Sequence, residues 1–313
     1  MNMPLRITYG SAFLVLAFLL GLSPGRVAAD PVVSSPTTSR SHTQGLEVGD
    51  PISANAGAYQ FSVPLLDLGG PLPLRYELDY NMHGAIWGEL DYLGIDGMFE
   101  SKELAQFMER WILDEGPAEA AVVYLRNGDF PRFERASAEA PWVLDAGMPV
   151  RYVMQETGET PTNGYVYVMD PLRETVCIFD KAPSDFTGPD FSTLRIAAQV
   201  DRNGNRLVYT YPGASTLKPT RVEDGLGRSL DFTYSGLRLT NVADQAGRSI
   251  TLTPGVQHGL NVLNAIVDAE GHETSFTYAD NTGARRCVTA IARPLGNVPY
   301  RQTVASTNLN GLP

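Results

Sequence analysis

The chain has 313 residues, 43% of them hydrophobic, which supports a sizeable core and excludes wholesale disorder. Its 24 basic and 35 acidic residues leave a net charge of −11, which argues against nucleic acid or an anionic bilayer as the main partner, because phosphate binding needs clustered Lys and Arg. Thirty Gly and 22 Pro with 14 Tyr and 12 Phe make a turn-rich, strand-leaning composition, and two cysteines, Cys177 and Cys287, are too few for a disulfide scaffold or a four-cysteine metal site.

Residues 1–29 read as a cleaved secretory signal: Arg6 gives the positive start, Ala12–Leu20 the apolar run, and Val27-Ala28-Ala29 the small residues before a cleavage point. The run is shorter than the roughly 18 apolar residues of a spanning helix. Secretion would permit a Cys177–Cys287 disulfide without requiring one, since lone cysteines are as often buried thiols. Residues 30–48, rich in Ser, Thr and Pro, read as a flexible leader. Tyr59–Val63 alternates apolar and polar residues, and in Leu72–Tyr80 the residues Leu72, Leu74, Tyr76, Leu78 and Tyr80 share one face. Two antiparallel strands around Gly69-Gly70-Pro71 are expected.

In residues 101–113 Leu104, Phe107, Met108, Trp111 and Ile112 fall at helical spacing. With Ser101 as cap, Glu103 at the positive end of the dipole and Gly116-Pro117 as stop, the pattern predicts an amphipathic helix. The preceding Asp91–Glu103 matches a calcium loop at Asp96, Gly97, Phe99 and Glu103, but Tyr92 and Gly94 supply no carboxylate where two ligands are needed, so a turn into the helix is the better reading. Val122–Leu125 and Phe130–Phe133 around Asn127-Gly128 predict one hairpin, and Tyr165–Met169 with Thr175–Phe179 around Asp170–Arg173 a second.

A repeat follows. Gly204, Gly227, Gly247, Gly271 and Gly296 each follow Asp201, Asp224, Asp244, Asp268 or Arg293 by three residues and precede Asn205, Arg228, Arg248, His272 or Asn297. Five residues after the first four glycines stand Tyr209, Phe232, Leu252 and Phe276, and seven after stand Tyr211, Tyr234, Pro254 and Tyr278. Apolar residues recur eight before (Ile196, Leu239, Leu263, Val288) and five before (Val222, Val242, Ile266, Ile291). The Asp carboxylate can accept N–H groups two residues on, and Gly takes the left-handed conformation such a turn needs. Each unit is then a β-hairpin that must stack on its neighbours to bury its face. Pro254, in a tyrosine position, suggests a strand end or edge.

The runs 224–234 (DGLGRSLDFTY) and 268–278 (DAEGHETSFTY) resemble the YD repeat of the Rhs (rearrangement hot spot) family, 201–211 (DRNGNRLVYTY) resembles its opening unit, and 49–80 is similar to the domain preceding such repeats. The resemblance implies a mainly β fold: a leader β domain at 49–195 carrying the helix 101–113, then a curved antiparallel sheet of about five stacked hairpins at 196–300, and a tail at 301–313. In the family such sheets wind into a shell around a C-terminal toxin, and related surface proteins use the same repeats as extracellular, sometimes sugar-binding, scaffolds. Residues 83–120 depart from the leader pattern. No Asp-Pro-x-Gly-Leu core motif or toxin domain stands before Pro313, and ten strands at about 4.8 Å make a plate roughly 48 Å wide with an open edge rather than a sealed cavity.

No catalytic constellation is recognisable. His42, His83, His258 and His272 lack ligand spacing, and no Gly-x-Ser-x-Gly or His-Glu-x-x-His occurs. The expectation is a secreted or cell-surface, bacterial, non-catalytic scaffold without metal or cofactor. Asp201, Gly204, Asp224, Gly227, Asp244, Gly247, Asp268 and Gly271 would form its turns. Its partners would be the rest of the shell or a second repeat chain joined by β-edge pairing, with toxin cargo or a cell-surface glycan as ligand and no nucleic acid. The alternative is a carbohydrate-binding or adhesion module in which Tyr209, Tyr211, Tyr234 and Tyr278 stack on sugar rings.

Overall fold

The structure is a computed structural model that describes residues 52–53, 58–81, 99–101, 104, 106–113, 118–127, 129–158, 164–180, 191–213, 216–236, 238–257, 260–278, 288–292 and 300–301. The signal segment, the leader, the tail beyond Arg301, Asp96 and Glu103 of the calcium-loop comparison, Cys287, Gly296 and the first three histidines lie outside them. The described chain is all β.

A first sheet contains β1 (Ile52–Ser53), β2 (Ala58–Asp67), β3 (Arg75–Asn81) and β4 (Phe99–Glu100) in that order. The expected hairpin is its centre: β2 pairs with β3 antiparallel around the Gly69-Gly70-Pro71 turn, and Leu72, Leu74, Tyr76, Leu78 and Tyr80 are all buried. Alternation alone accounts for this, because period two places every second side chain on one face.

The second sheet begins with β5 (Phe107–Ile112), β6 (Glu119–Tyr124), β7 (Arg132–Arg135), β8 (Val143–Leu144), β9 (Val153–Glu156), β10 (Tyr165–Asp170), β11 (Thr175–Asp180) and β12 (Phe191–Asp201). It continues through β13 (Arg206–Thr210), β14 (Arg221–Asp224), β15 (Ser229–Ser235), β16 (Arg238–Asp244), β17 (Ser249–Gln257), β18 (Leu260–Val267), β19 (Glu273–Tyr278), β20 (Val288–Ala292) and β21 (Tyr300–Arg301). Every pairing is antiparallel and sequential within β5–β8 and within β9–β21. The two runs meet at β12. One edge of β12 pairs with β11, while the other is shared between β5 along 191–195 and β13 along 198–200. No residue register joins β8 to β9 or β21 to β5 among the described residues, so the sheet is forked and open rather than a closed barrel.

The expected helix 101–113 is not formed. Leu104 N–H donates to the Ser101 carbonyl in a single turn, and 107–112 is the strand β5, paired on both sides. The helical stripe misleads because both faces of β5 are covered at its start. Met108 and Phe107 point to opposite sides and both are buried, Phe107 stacking on Tyr124 at 4.2 Å between ring centroids. Consecutive apolar residues in a doubly covered strand imitate an i, i+1, i+4, i+5 helical face, and tertiary pairing overrides the propensity.

Both other hairpins form as expected. In the first, β6 pairs with β7 and Leu125 N–H donates to the Asp129 carbonyl. In the second, β10 and β11 pair around Asp170, whose Oδ1 accepts the N–H of Leu172 and Arg173. Cys177, on β11, is a buried free thiol whose pKa burial pushes up to about 12, so it is inert rather than nucleophilic at neutral pH.

Candidate functional site

The strongest internal pattern is the series of four turns that close β12–β13, β14–β15, β16–β17 and β18–β19. They are built alike. In each, the Gly N–H donates to the Asp carbonyl at 3.0–3.1 Å. The Asp Oδ1 accepts two backbone N–H groups: Asn203 and Asn205 onto Asp201, Leu226 and Arg228 onto Asp224, Ala246 and Arg248 onto Asp244, Glu270 and His272 onto Asp268. The other carboxylate oxygen takes the side chain that follows the Gly: Asn205 Nδ2, Arg228 Nε and Arg248 Nε, each at 2.7 Å, and His272 Nδ1 at 3.3 Å. Gly204, Gly227, Gly247 and Gly271 sit at φ 83°, 79°, 85° and 84°, the left-handed conformation expected of them.

Electrostatics follow from this bonding. Burial raises the carboxyl of Asp244, but the Arg248 guanidinium and the N–H donors more than reverse it, and it titrates below its ordinary range. In Asp224 and Asp268 burial is likewise the largest single influence and raises the carboxyl, but the donors of Arg228 and Leu226, and of His272 and Glu270, together outweigh it and depress both. These are acids held ionised by their own turn, the opposite of a carboxyl tuned for proton transfer near neutral pH.

The repeat tyrosines are built into the same hairpins. Tyr211 donates its hydroxyl to the Ile196 carbonyl at 2.7 Å, Tyr234 to Pro219 at 3.1 Å, and Tyr278 to Leu263 at 2.6 Å. The tyrosine seven residues after the Gly thus latches onto the backbone eight residues before it. Burial raises all three phenols. Tyr209 faces the core, where its hydroxyl accepts Gln106 Nε2 at 2.8 Å. These rings have little surface left on which a sugar could stack.

A register shift falls at the seventh residue after the Gly in three units, at Thr233/Tyr234, Thr253/Pro254 and Thr277/Tyr278, two of which are latching tyrosines. The unpaired residue is on the following strand: Thr240, Asn264 and Thr289. A fourth shift, between Ile178 and Phe179, leaves Ala197 unpaired at the same repeat position. Pro254 lies within β17 opposite the bulge at Asn264, and only its β18 side is paired there, since the register with β16 ends at Thr251, so it stands on a local edge where a missing N–H is tolerated.

The turns also hold other elements. Arg228, while bonding Asp224, donates to the carbonyls of Leu68 and Gly69 in the β2–β3 turn. Arg126 donates to Pro73 at 2.7 Å, and the Val288 N–H donates to the Tyr80 hydroxyl at 2.8 Å. Neighbouring turns are linked by Arg202 N–H to Glu174, Gly225 N–H to Arg206, and the Gln245 amide to Gly227.

Two polar clusters lie outside the residues singled out from sequence. In one, Glu119 accepts Arg110 Nε at 2.8 Å and Arg135 Nη2 at 2.7 Å, while Glu156 accepts Arg110 Nη1 and the Trp142 indole N–H, with Arg135 4.4 Å from the Trp142 ring centroid. Two cations and two anions balance, so the cluster is a structural network. In the other, Tyr152 donates to Asp129 and Asn127 reaches Asp129, Tyr152 and Asp170, which also accepts Arg173 at 2.8 Å. In the first, the helical reading of 101–113 concealed Arg110, which shares a strand face with Met108 two residues before it. Asp268, Glu270 and His272 bring three potential ligand atoms within 4.8 Å of one another in the last turn, where Glu270 and His272 are exposed.

No protein-family model matches the chain, and no curated protein is significantly similar to it.

Proposed function

We propose that this chain is a non-catalytic extracellular scaffold, a section of an Rhs-type YD-repeat shell whose hairpins stack into a sheet and whose remainder, or a second repeat chain, continues it by edge pairing around a toxin cargo. Export through the signal at 1–29 belongs to this reading. The observation that carries it is the use each repeat makes of its own functional groups. Its Asp is committed to backbone N–H groups, its Gly to a left-handed turn and, in three of the four described units, its Tyr to a backbone carbonyl. Residues so committed specify a repeating framework rather than a reaction.

Sequencing the genomic DNA beyond the codon for Pro313 tests the shell. Further Asp-x-x-Gly units ending in Tyr, followed by a variable C-terminal domain, are the expected result, and an unrelated gene directly after Pro313, with no second YD-repeat chain encoded beside it, would overturn it. A glycan array tests the competing adhesion reading. No tyrosine-dependent signal is expected. Saturable binding that disappears in folded Tyr234→Ala and Tyr278→Ala variants would replace the scaffold with a lectin.

A further inference from the structure

Each repeat hairpin is paired for three residues from its turn, and its strands then part. The pairs are 198–200 with 206–208, 221–223 with 229–231, 241–243 with 249–251, and 265–267 with 273–275. Between units the pairing runs further: 230–235 with 238–244 for β15 and β16, and 251–257 with 260–267 for β17 and β18. This part of the sheet is therefore a row of long hairpins joined by short seams. Three seams are fastened at their parted end. Tyr211 reaches the Ile196 carbonyl across β12–β13, Tyr234 the Pro219 carbonyl across β14–β15, and Tyr278 the Leu263 carbonyl across β18–β19. The last two have a second fastening. The Phe232 N–H donates to the Thr220 carbonyl at 2.8 Å. The Gln257 side-chain amide donates to the Phe276 carbonyl and accepts the Tyr278 N–H, both at 3.4 Å.

The β16–β17 seam is different. Pro254 stands where its neighbours have the tyrosine, and it offers neither a hydroxyl nor an N–H. Leu239 holds the place of Ile196, Pro219 and Leu263, and among the described residues no hydroxyl reaches its carbonyl. Beyond Thr251 the seam is crossed by side chains: the Arg238 guanidinium donates to the Asn261 side-chain oxygen, at half-buried positions. We propose that this seam is a hinge built into the repeat sheet, at which the part ending in β16 bends against the part beginning at β17. Two features make it a hinge rather than a break. Leu239, Val242, Ile250 and Leu252 are buried along it, so apolar contact holds the two parts together while the ladder opens. The hairpins on either side are paired along their length, so bending falls on the three residue pairs between them. The hinge follows from register and hydrogen bonding, whatever the sheet encloses. Its position gives it a distinctive signature, because strands inside a sheet ordinarily open last.

Residue-resolved amide hydrogen exchange on the purified full chain tests this. Val242 and Ile250 report on the β16–β17 seam. Val222 with Leu230, and Ile266 with Thr274, hold the same positions in latched units. Val242 and Ile250 are expected to be about fivefold less protected than those pairs, the equivalent of one buried hydrogen bond. Pro254→Tyr supplies the missing hydroxyl and should raise their protection by a similar factor, leaving Val222 and Leu230 unchanged. Tyr278→Phe should lower Ile266 and Thr274 to the level of Val242 and Ile250. Equal protection at the three seams of the wild type overturns the proposal. So does a folded Pro254→Tyr chain in which Val242 and Ile250 exchange as before. Should circular dichroism find Pro254→Tyr unfolded, Tyr278→Phe decides in its place, and unchanged exchange at Ile266 and Thr274 overturns the hinge.

Discussion

Asp244 shows what one side chain contributes to a turn. Its carboxylate accepts the N–H of Ala246 and Arg248 and the Arg248 guanidinium, and it is buried. Asp244→Ala strands those donors and should cost about 1–3 kcal/mol, read as a lower denaturation midpoint at unchanged slope. Asp268→Ala should cost less, because its turn is more exposed to water. The glycines test a different term. A Cβ added at Gly227 or Gly271 meets nothing within 4 Å, so Gly227→Val and Gly271→Val probe backbone strain alone. Each should destabilise by about 1–3 kcal/mol, and unchanged thermal midpoints for both would refute the left-handed assignment. These turns were legible in the sequence because Asp and Gly act locally, through donors two and four residues away.

At the scale of the hairpin, legibility was partial. Apolar residues eight and five positions before the Gly should face opposite sides of a regular strand, since three is an odd number. Both sets are buried, as with Leu239 and Val242 or Leu263 and Ile266. The extra residue between them, Thr240 or Asn264, restores the phase. The repeat displayed this spacing, but the bulge it encodes arises from pairing with the preceding strand, which no local pattern reveals. The tyrosines were visible as a ladder, whereas their carbonyl partners depend on that same register. Tyr278→Phe removes one buried hydrogen bond and should cost about 1 kcal/mol, with faster amide exchange across β18–β19 as the local readout. The helix expected at 101–113 failed for a related reason. The partners of β5 are β6, a few residues on, and β12, some eighty residues away, and that second, distant pairing is what commits 107–112 to extended backbone from both edges.

For the molecule as a whole, the turn carboxylates act in one direction. Asp224, Asp244 and Asp268 are all depressed in the folded state, so they stabilise it fully above the unfolded carboxyl value of about 3.9 and lose that contribution as pH falls through their lower folded values. Thermal midpoints should hold from pH 7 to about 5 and then fall. Asp224→Asn with Asp244→Asn should flatten the acid limb, and an acid limb as steep as the wild type would contradict the assignment. The latch has a further consequence. The stretch from eight residues before the Gly to seven after it ends in a latching Tyr in three units, 196–211, 219–234 and 263–278, and in Pro254, which has no hydroxyl to donate, in the remaining one, 239–254, while the connections between units, 212–218, 235–238 and 255–262, differ in length. Each unit is therefore a cassette with fixed parity, and all freedom of length is confined to one margin of the sheet. Foreign peptides grafted at that margin would leave every inward residue inward, whereas a single residue inserted between an Asp and its Tyr would turn a whole strand inside out.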